Sequence, residues 1–311
     1  MAYSKNDIVQ VTIEDIGVTG EGIGKIDGYT LFVKDTVIGD VVEVKIMKAK
    51  KNYGYARLMN IITPSKDRVT PLRRVARQCG GCQIQQMSYS AQLKYKQKLV
   101  RDNLARIGGI TDCEVLPVIG MENPFNYRNK AQYPVGEDKD GNIIMGFYAG
   151  HTHSIIPCDD CLLGDEDNSV ILTAVKQWMK DYRVRAYNEN IHKGTLRHIL
   201  IRTGFHTDEI MVCLVTKKML RKEAADGLVR VIERLNSGSS ASDNISSGSD
   251  NNTSNNSGRK LNIASLVVNI NKEDTNVILG RECVTLYGRP YIEDYIGDIK
   301  FQISPLSFFQ V

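Results

Sequence analysis

Long hydrophobic runs and a signal segment are what this sequence most plainly lacks. None of its apolar runs approaches the roughly 20 residues that a bilayer-crossing helix needs, so no membrane partner is expected. The opening residues, Met1 to Asp7, precede no apolar signal stretch, which argues against secretion. The sequence has seven cysteines, and this odd number argues against a disulfide framework and for a reducing compartment. The sequence therefore predicts a cytoplasmic, soluble protein.

The common nucleotide-binding motifs are missing as well. The glycine-rich stretch at residues 20–25 resembles a phosphate loop, but Thr19 stands where that loop needs glycine and Ile26 where it needs serine or threonine. These glycines are therefore predicted to be turn residues. There is no glycine-rich strand-to-helix turn of the dinucleotide type, and no Ser-His-Asp grouping can be assembled.

Charge is unevenly distributed along the chain. The net charge is only +4, yet residues 45–107 contain 15 Lys and Arg against two acids, Asp67 and Asp102. That segment carries +13, and the remaining residues sum to −9. A basic tract in an otherwise acidic chain is typical of polyanion binding, although a solvated helix face with a flexible loop would look the same.

The order of elements predicts an α+β protein. Four strand-like runs separated by glycine turns lie within residues 8–62, as in a small β-barrel of the OB type. A helix is predicted from about Ser90 to Ile107, with Leu93, Val100, Leu104 and Ile107 on its apolar face. An α/β region follows, with a hairpin at Asp140-Gly141. The Ser-, Asn- and Gly-rich residues 236–258 are predicted to be a disordered insertion.

Two cysteine pairs carry the strongest local signal. Cys79 and Cys82 lie three positions apart in a glycine-rich loop, and Cys158 and Cys161 repeat that spacing 75 residues later. Four thiolates suffice for a structural zinc or an iron–sulfur cluster; a redox dithiol and unligated thiols are the alternatives. Cys113, Cys213 and Cys283 stand alone in apolar surroundings and are predicted to be packed in the core.

Several segments, in order along the chain, resemble the RNA (uracil-5-)-methyltransferases, SAM-dependent enzymes that methylate C5 of uridine in ribosomal or transfer RNA. These are the glycine-rich start, which is similar to a TRAM domain, the Cys79–Cys82 loop, and four further segments. The four are 127–130, 196–204, 276–280 and 304–310. They match the N-terminal two thirds of such an enzyme.

The resemblance implies ligands and partners. It implies an RNA partner, S-adenosylmethionine (SAM) in contact with Gln310, and Phe308 stacked on RNA beside a flipped base. It also implies a 4Fe–4S cluster, whose matching ligands are Cys79, Cys82 and Cys161. Arg73 occupies the position of another cluster cysteine, which leaves open that Cys158 replaces it, that zinc binds instead, or that the site is empty. The basic candidates for phosphate contacts are Lys94, Lys96, Lys98, Arg101, Arg128 and Lys130.

The resemblance also implies a domain division. A TRAM-like barrel is expected at residues 1–63, and a central α+β domain with the cysteine site at 64–87 and 121–303. Residues 88–120 and 304–311 would begin a Rossmann-like methyltransferase domain. The nucleophilic cysteine and the base of the family are not matched, so the expectation is a C-terminally truncated copy that is inactive alone. A non-catalytic RNA-binding protein with a metal-stabilised module is the alternative.

Overall fold

The computed structural model describes residues 3–150, 152–158, 160–239 and 259–310. It divides into two compact units, Met1–Pro124 and Phe125–Val311, which we call the barrel unit and the sheet unit. Among the described residues, no helix combines the length and the hydropathy needed to cross a membrane.

Five strands close the barrel in the order β1-β2-β3-β5-β4. Inward residues alternate with outward ones, and Leu31, Val33, Val42, Val44 and Ile46 are completely buried. This period of two is what a strand with one face in a core requires. The predicted N-terminal barrel is confirmed. The strands are β1 Ile8–Ile16, β2 Gly22–Ile26, β3 Tyr29–Val33, β4 Val41–Ala49 and β5 Tyr53–Thr63.

The prediction that the glycines of residues 20–25 are turn residues was wrong for two of them. Gly22 and Gly24 lie inside β2, while Gly20 alone adopts a turn conformation with a positive φ of 86°. A Cβ on Gly24 would lie 2.4 Å from the carbonyl oxygen of Thr12, and one on Gly22 would lie 2.0 Å from the Thr36 hydroxyl. Glycine is therefore needed at both positions, because strand β1 and the loop after β3 approach β2 closely here.

Helix α1 spans Tyr89–Arg106, close to its predicted bounds, and packs on the barrel. Its buried side is formed by Ala91 and Tyr95, with Leu99 packed beside them, and the Tyr95 hydroxyl donates to the carbonyl of Gly17 at 2.8 Å. The predicted apolar face was wrong at two of its four positions, because Val100 is 50% and Ile107 is 83% exposed, whereas Leu93 and Leu104 are half-buried. The tyrosine combines apolar area with a polar tip that finds a partner in the barrel.

A seven-stranded sheet with the order β12-β11-β10-β9-β6-β7-β8 organises the other unit. Strands β9 and β10 are buried along almost their whole length, because helices cover one face and a separate hairpin, β13–β14, covers the other. Strand β10 pairs with β11 in parallel, with helix α3, Lys222–Ser237, as the crossover. The strands are β6 Lys130–Glu137, β7 Ile143–Tyr148, β8 Ile155–Pro157, β9 Leu196–Thr203, β10 Ile210–Thr216, β11 Ile263–Ile270, β12 Glu282–Gly288, β13 Ile292–Ile296 and β14 Ile299–Ile303.

Helices α2, Asp167–Asp181, and α3, Lys222–Ser237, pack together over this sheet. The Trp178 indole is buried and donates to the Ala224 carbonyl at 2.8 Å. The predicted insertion begins too early, because Asn236 lies in α3 and bonds both the N–H and the carbonyl of Ile263. Of that insertion, residues 240–258 lie outside the described residues.

Candidate nucleic-acid interface

Three aromatic rings form a cluster on the outer surface of the barrel. Phe32 on β3 lies 5.5 Å from Tyr55 on β5, measured between ring centroids, and Tyr53 lies 5.8 Å from Tyr55. Tyr53 is 38% and Tyr55 46% exposed, unlike the apolar residues that alternate with them. Exposed aromatic rings on an OB-type barrel are the surfaces on which unpaired bases stack. We call Phe32, Tyr53 and Tyr55 the aromatic patch.

Basic side chains border the aromatic patch on both sides. Lys48 on β4 is the cross-strand neighbour of Tyr55 on β5. Lys45 on β4 is the cross-strand neighbour of Arg57, which lies two residues after Tyr55. On the other side, Lys25 lies opposite Thr30, which is itself the partner of Tyr53. Among the described residues, no carboxylate forms an ion pair with any of these four cations, so their charge is available to phosphates. We call Lys25, Lys45, Lys48 and Arg57 the basic row.

Sequence reasoning missed this surface, although a signal for it exists. In β5, Tyr53, Tyr55 and Arg57 are exposed, while the small Gly54 and Ala56 between them face the core. The alternation of large aromatic or basic residues with small ones marks an outward face. The prediction instead concentrated on the Lys and Arg residues of α1.

The structure separates the four predicted basic residues of α1. Lys94, Lys96 and Arg101 are exposed, as phosphate contacts require. Lys98 is not available to a phosphate, because its ammonium group forms ion pairs with Asp102 at 2.6 Å and with Asp15 on β1 at 2.8 Å. Hydrogen bonds to Asp102 and then to Asp15 raise the pKa of Lys98, which holds it in its charged form. Lys98 therefore fastens α1 to the barrel.

In the sheet unit, Lys130 and Arg202 are cross-strand partners on β6 and β9. Burial, followed by repulsion from Arg202, lowers the pKa of Lys130. The predicted candidate Arg128 precedes β6, and its backbone N–H donates to the Leu163 carbonyl at 2.8 Å.

Arg202 also holds the segment that carries the predicted SAM and RNA contacts. Its guanidinium donates to the carbonyls of Ser307 and Phe309, the latter at 3.1 Å. Phe309 packs on Phe301, whereas Phe308 is 91% exposed and Gln310 is exposed as well. This arrangement leaves the Phe308 ring exposed, and sequence reasoning did not identify Arg202 as the support of this segment.

Of the four predicted cysteine ligands, two lie in the barrel unit and two in the sheet unit. Cys79 and Cys82 are half-buried in the loop before α1, Cys158 is buried and Cys161 is half-buried. Throughout the part of the chain that the structure describes, no group of three or more His, Cys, Asp or Glu side chains is arranged to hold a metal ion. Arg73 is buried and, as a cation, cannot replace a thiolate ligand. Neither unit alone therefore fits a four-thiolate cluster.

The other three cysteines were predicted to be packed in the core, and this prediction was wrong for two of them. Cys213 is completely buried in the sheet, and burial strongly raises the pKa of its thiol, which keeps it protonated. Cys113 and Cys283 are exposed rather than packed. Cys283 lies on β12 at one edge of the sheet, where its Sγ accepts a hydrogen bond from Asn269 at 3.2 Å.

Comparison with known proteins agrees with this geometry. The TRAM domain family matches residues 5–59, which coincide with the barrel strands. A protein of Clostridium tetani named as an RNA methyltransferase is 44% identical over 99% of this chain, and one of Halalkalibacterium halodurans is also 44% identical over 99%. The chain spans about three fifths of these relatives, 61% and 62% of their length.

A solved structure is similar over most of the chain. The Pyrococcus abyssi tRNA (uracil-54, C5)-methyltransferase, crystallised with S-adenosyl-L-homocysteine, superposes with a TM-score of 0.64 at 21% identity. The match covers 96% of this chain and 60% of that one, and at this identity it shows a shared fold. The sequence relatives show that the chain is homologous to RNA methyltransferases along its whole length, and the predicted resemblance is confirmed.

Proposed function

We propose that this chain, a homologue of RNA methyltransferases, recognises RNA for an enzyme that methylates C5 of uridine with SAM as the methyl donor. The observation that carries the proposal is the aromatic patch with its flanking basic row on the barrel. The alternative of a non-catalytic RNA-binding protein is not favoured, because the relatives described above are named as RNA methyltransferases and align with 99% of this chain.

The barrel surface suits an unpaired strand of RNA. Three rings within 6 Å of one another offer faces for successive bases, and stacking tolerates any base because every base has a π face. The basic row runs beside the rings, where the phosphates of a stacked strand would pass. The exposed Lys94, Lys96 and Arg101 of α1 supply further positive charge in the same unit. The proposed substrate is therefore a single-stranded region of ribosomal or transfer RNA.

The segment that Arg202 holds, residues 304–310, is proposed to contact SAM and the RNA beside the uridine that is methylated. SAM, when bound, supplies the methyl group that C5 of uridine accepts. We propose that Gln310 contacts this cofactor and that the exposed Phe308 ring stacks on a base beside the extruded uridine. Arg128 and Lys130 are proposed as phosphate contacts of the sheet unit. The support for these roles is the sequence resemblance together with the exposure of Phe308.

A metal site formed by Cys79, Cys82, Cys158 and Cys161 also remains a proposal, whose support is the repeated Cys-x2-Cys spacing. Zinc needs the same four thiolates that a cluster needs, so the pattern does not discriminate between them. The role of such a site would be structural.

Fluorescence anisotropy with a labelled, unstructured oligoribonucleotide tests the proposed function. We expect Tyr55→Ala to weaken binding by about 1–3 kcal/mol, the usual contribution of one base stacked on an aromatic ring. Met59→Ala is the matched control, because Met59 is 51% exposed on the same strand but carries no ring. Equal affinities of the wild type and a Tyr53→Ala/Tyr55→Ala double variant would refute the proposal.

A further inference from the structure

The sheet unit contains a cavity that the proposed RNA surface does not use. Its volume is about 520 Å³, within the range of small-molecule sites. It lies between the strands β6 and β7 and the segment 185–194. The residues that determine its chemistry are Tyr148, His153, Arg185, Tyr187, Glu189 and Lys193.

One wall of this cavity is a flat pair of rings. Tyr148 and His153 stack with centroids 5.1 Å apart and planes inclined by 23°. Glu189 fixes the imidazole, because its carboxylate lies 3.0 Å from Nδ1 of His153. The side chain of His153 is nevertheless 58% exposed, which leaves one face of its ring open to a ligand. A planar ring bound to that face would extend the stack.

The inner end of the stack is fixed by a buried histidine. The Tyr148 hydroxyl lies 3.4 Å from Nε2 of His198, and His198 is only 4% exposed. Burial lowers the pKa of His198 to about 4, so this ring is neutral near pH 7. Tyr148 is therefore held by a neutral partner.

Positive charge lies at the rim of the cavity. Lys193 is exposed and, within the described residues, pairs with no carboxylate. The turn after it requires glycine, because Gly194 has a φ of +111° and a Cβ there would lie 2.0 Å from the Ala186 carbonyl oxygen. Arg185 is also at the rim, although Glu137 at 3.0 Å neutralises part of its charge. Deeper in, Arg197 stacks on the Tyr187 ring at 4.9 Å.

We infer that this cavity binds one nucleotide, with its base stacked on the open face of His153 and its phosphate at Lys193. A planar aromatic ring with an attached phosphate is the ligand that matches a stacking wall beside an unpaired lysine. The ligand is either a free mononucleotide or an unstacked nucleotide of a bound RNA. Only the second form rests on the proposed function, since the cavity and its walls belong to the sheet unit alone.

Calorimetric titration of the full chain with 5′-AMP and 5′-UMP tests this inference, with ribose 5-phosphate as the probe that lacks a base. We expect both nucleotides to bind more tightly than ribose 5-phosphate. His153→Ala should weaken nucleotide binding roughly five- to a hundredfold, as expected when one stacking contact is lost, and His153→Phe should restore it. Lys193→Gln should also weaken it. Lys180→Gln, an exposed lysine at the end of α2, is the matched control.

Binding of an oligoribonucleotide by the same variants separates the two sources. A loss of both mononucleotide and RNA affinity in His153→Ala identifies an RNA nucleotide as the ligand. A loss of mononucleotide binding alone identifies a free nucleotide. Failure of AMP and UMP to bind at millimolar concentration, or binding that His153→Ala leaves unchanged, overturns the inference. Neither result bears on Tyr53 and Tyr55, whose variants test the proposed function separately.

Discussion

The carboxylate of Asp40 should determine the stability of the barrel, and Asp40→Asn tests this. Asp40 is completely buried at the turn before β4, where it accepts hydrogen bonds from the backbone N–H groups of Val37, at 2.6 Å, and Ser65, at 2.9 Å. Arg68 donates to it at 2.6 Å, and the Arg68 side chain is 15% exposed. Removing one partner of a buried ion pair costs roughly 3–5 kcal/mol, and we expect about 3 kcal/mol because Arg68 retains some solvent contact.

Asp35→Asn is the matched control for this change. Asp35 lies five residues earlier and pairs with Arg77 at 3.1 Å, but its side chain is 29% exposed and that of Arg77 is 60% exposed. An exposed pair contributes about 0–1 kcal/mol, so this variant should unfold almost like the wild type. Hydrogen exchange of the barrel amides, read by mass spectrometry, reports the free energy of opening of this unit directly. Equal protection in the two variants would refute the reasoning.

The same carboxylate predicts how barrel stability depends on pH. Burial alone would raise the pKa of Asp40, but the hydrogen bond from Arg68 and the two backbone N–H groups outweigh burial and lower it below 3.8. The stabilisation is therefore fully present above the pKa of the unfolded chain and is lost as pH falls through the lower, folded value. Wild-type protection should decrease below about pH 4, and the Asp40→Asn variant should lack this component of the decrease.

Two further predictions concern the sheet unit and the cysteines. Arg202→Met should increase hydrogen exchange in residues 304–310, because two carbonyls lose their donor; unchanged exchange would show that Phe301 packing suffices to hold the segment. Anaerobically purified protein should contain zinc, or iron with sulfide, in an amount that Cys82→Ser reduces, and a metal-free folded protein would contradict the proposed site.

Much of the fold could be predicted because hydrophobic periodicity is local. The barrel and α1 follow from patterns of two or about 3.6 residues that the chain carries in sequence. The buried face of α1 could not be predicted in this way. Tyr95 is buried because its hydroxyl finds the Gly17 carbonyl, a partner 78 residues away in the sequence.

The candidate site was predicted less completely, for a related reason. Counting Lys and Arg located a basic tract, but a count cannot show that Lys98 forms an ion pair with Asp15, which lies far away in the sequence. The aromatic patch depends on the parallel pairing of β3 with β5, which brings Phe32 beside Tyr55. Such pairings between residues far apart in sequence are set by tertiary structure, whereas turn residues and helix ends are encoded nearby.

Photocrosslinking tests the central claim, that the barrel binds RNA through its aromatic patch, most directly. An unstructured RNA containing 4-thiouridine is irradiated with the full chain, and the crosslinked peptides are identified by mass spectrometry. Crosslinks should concentrate on residues 52–57 and decrease in the Tyr53→Ala/Tyr55→Ala variant. Crosslinks that avoid β3 and β5 while RNA binding persists would contradict it.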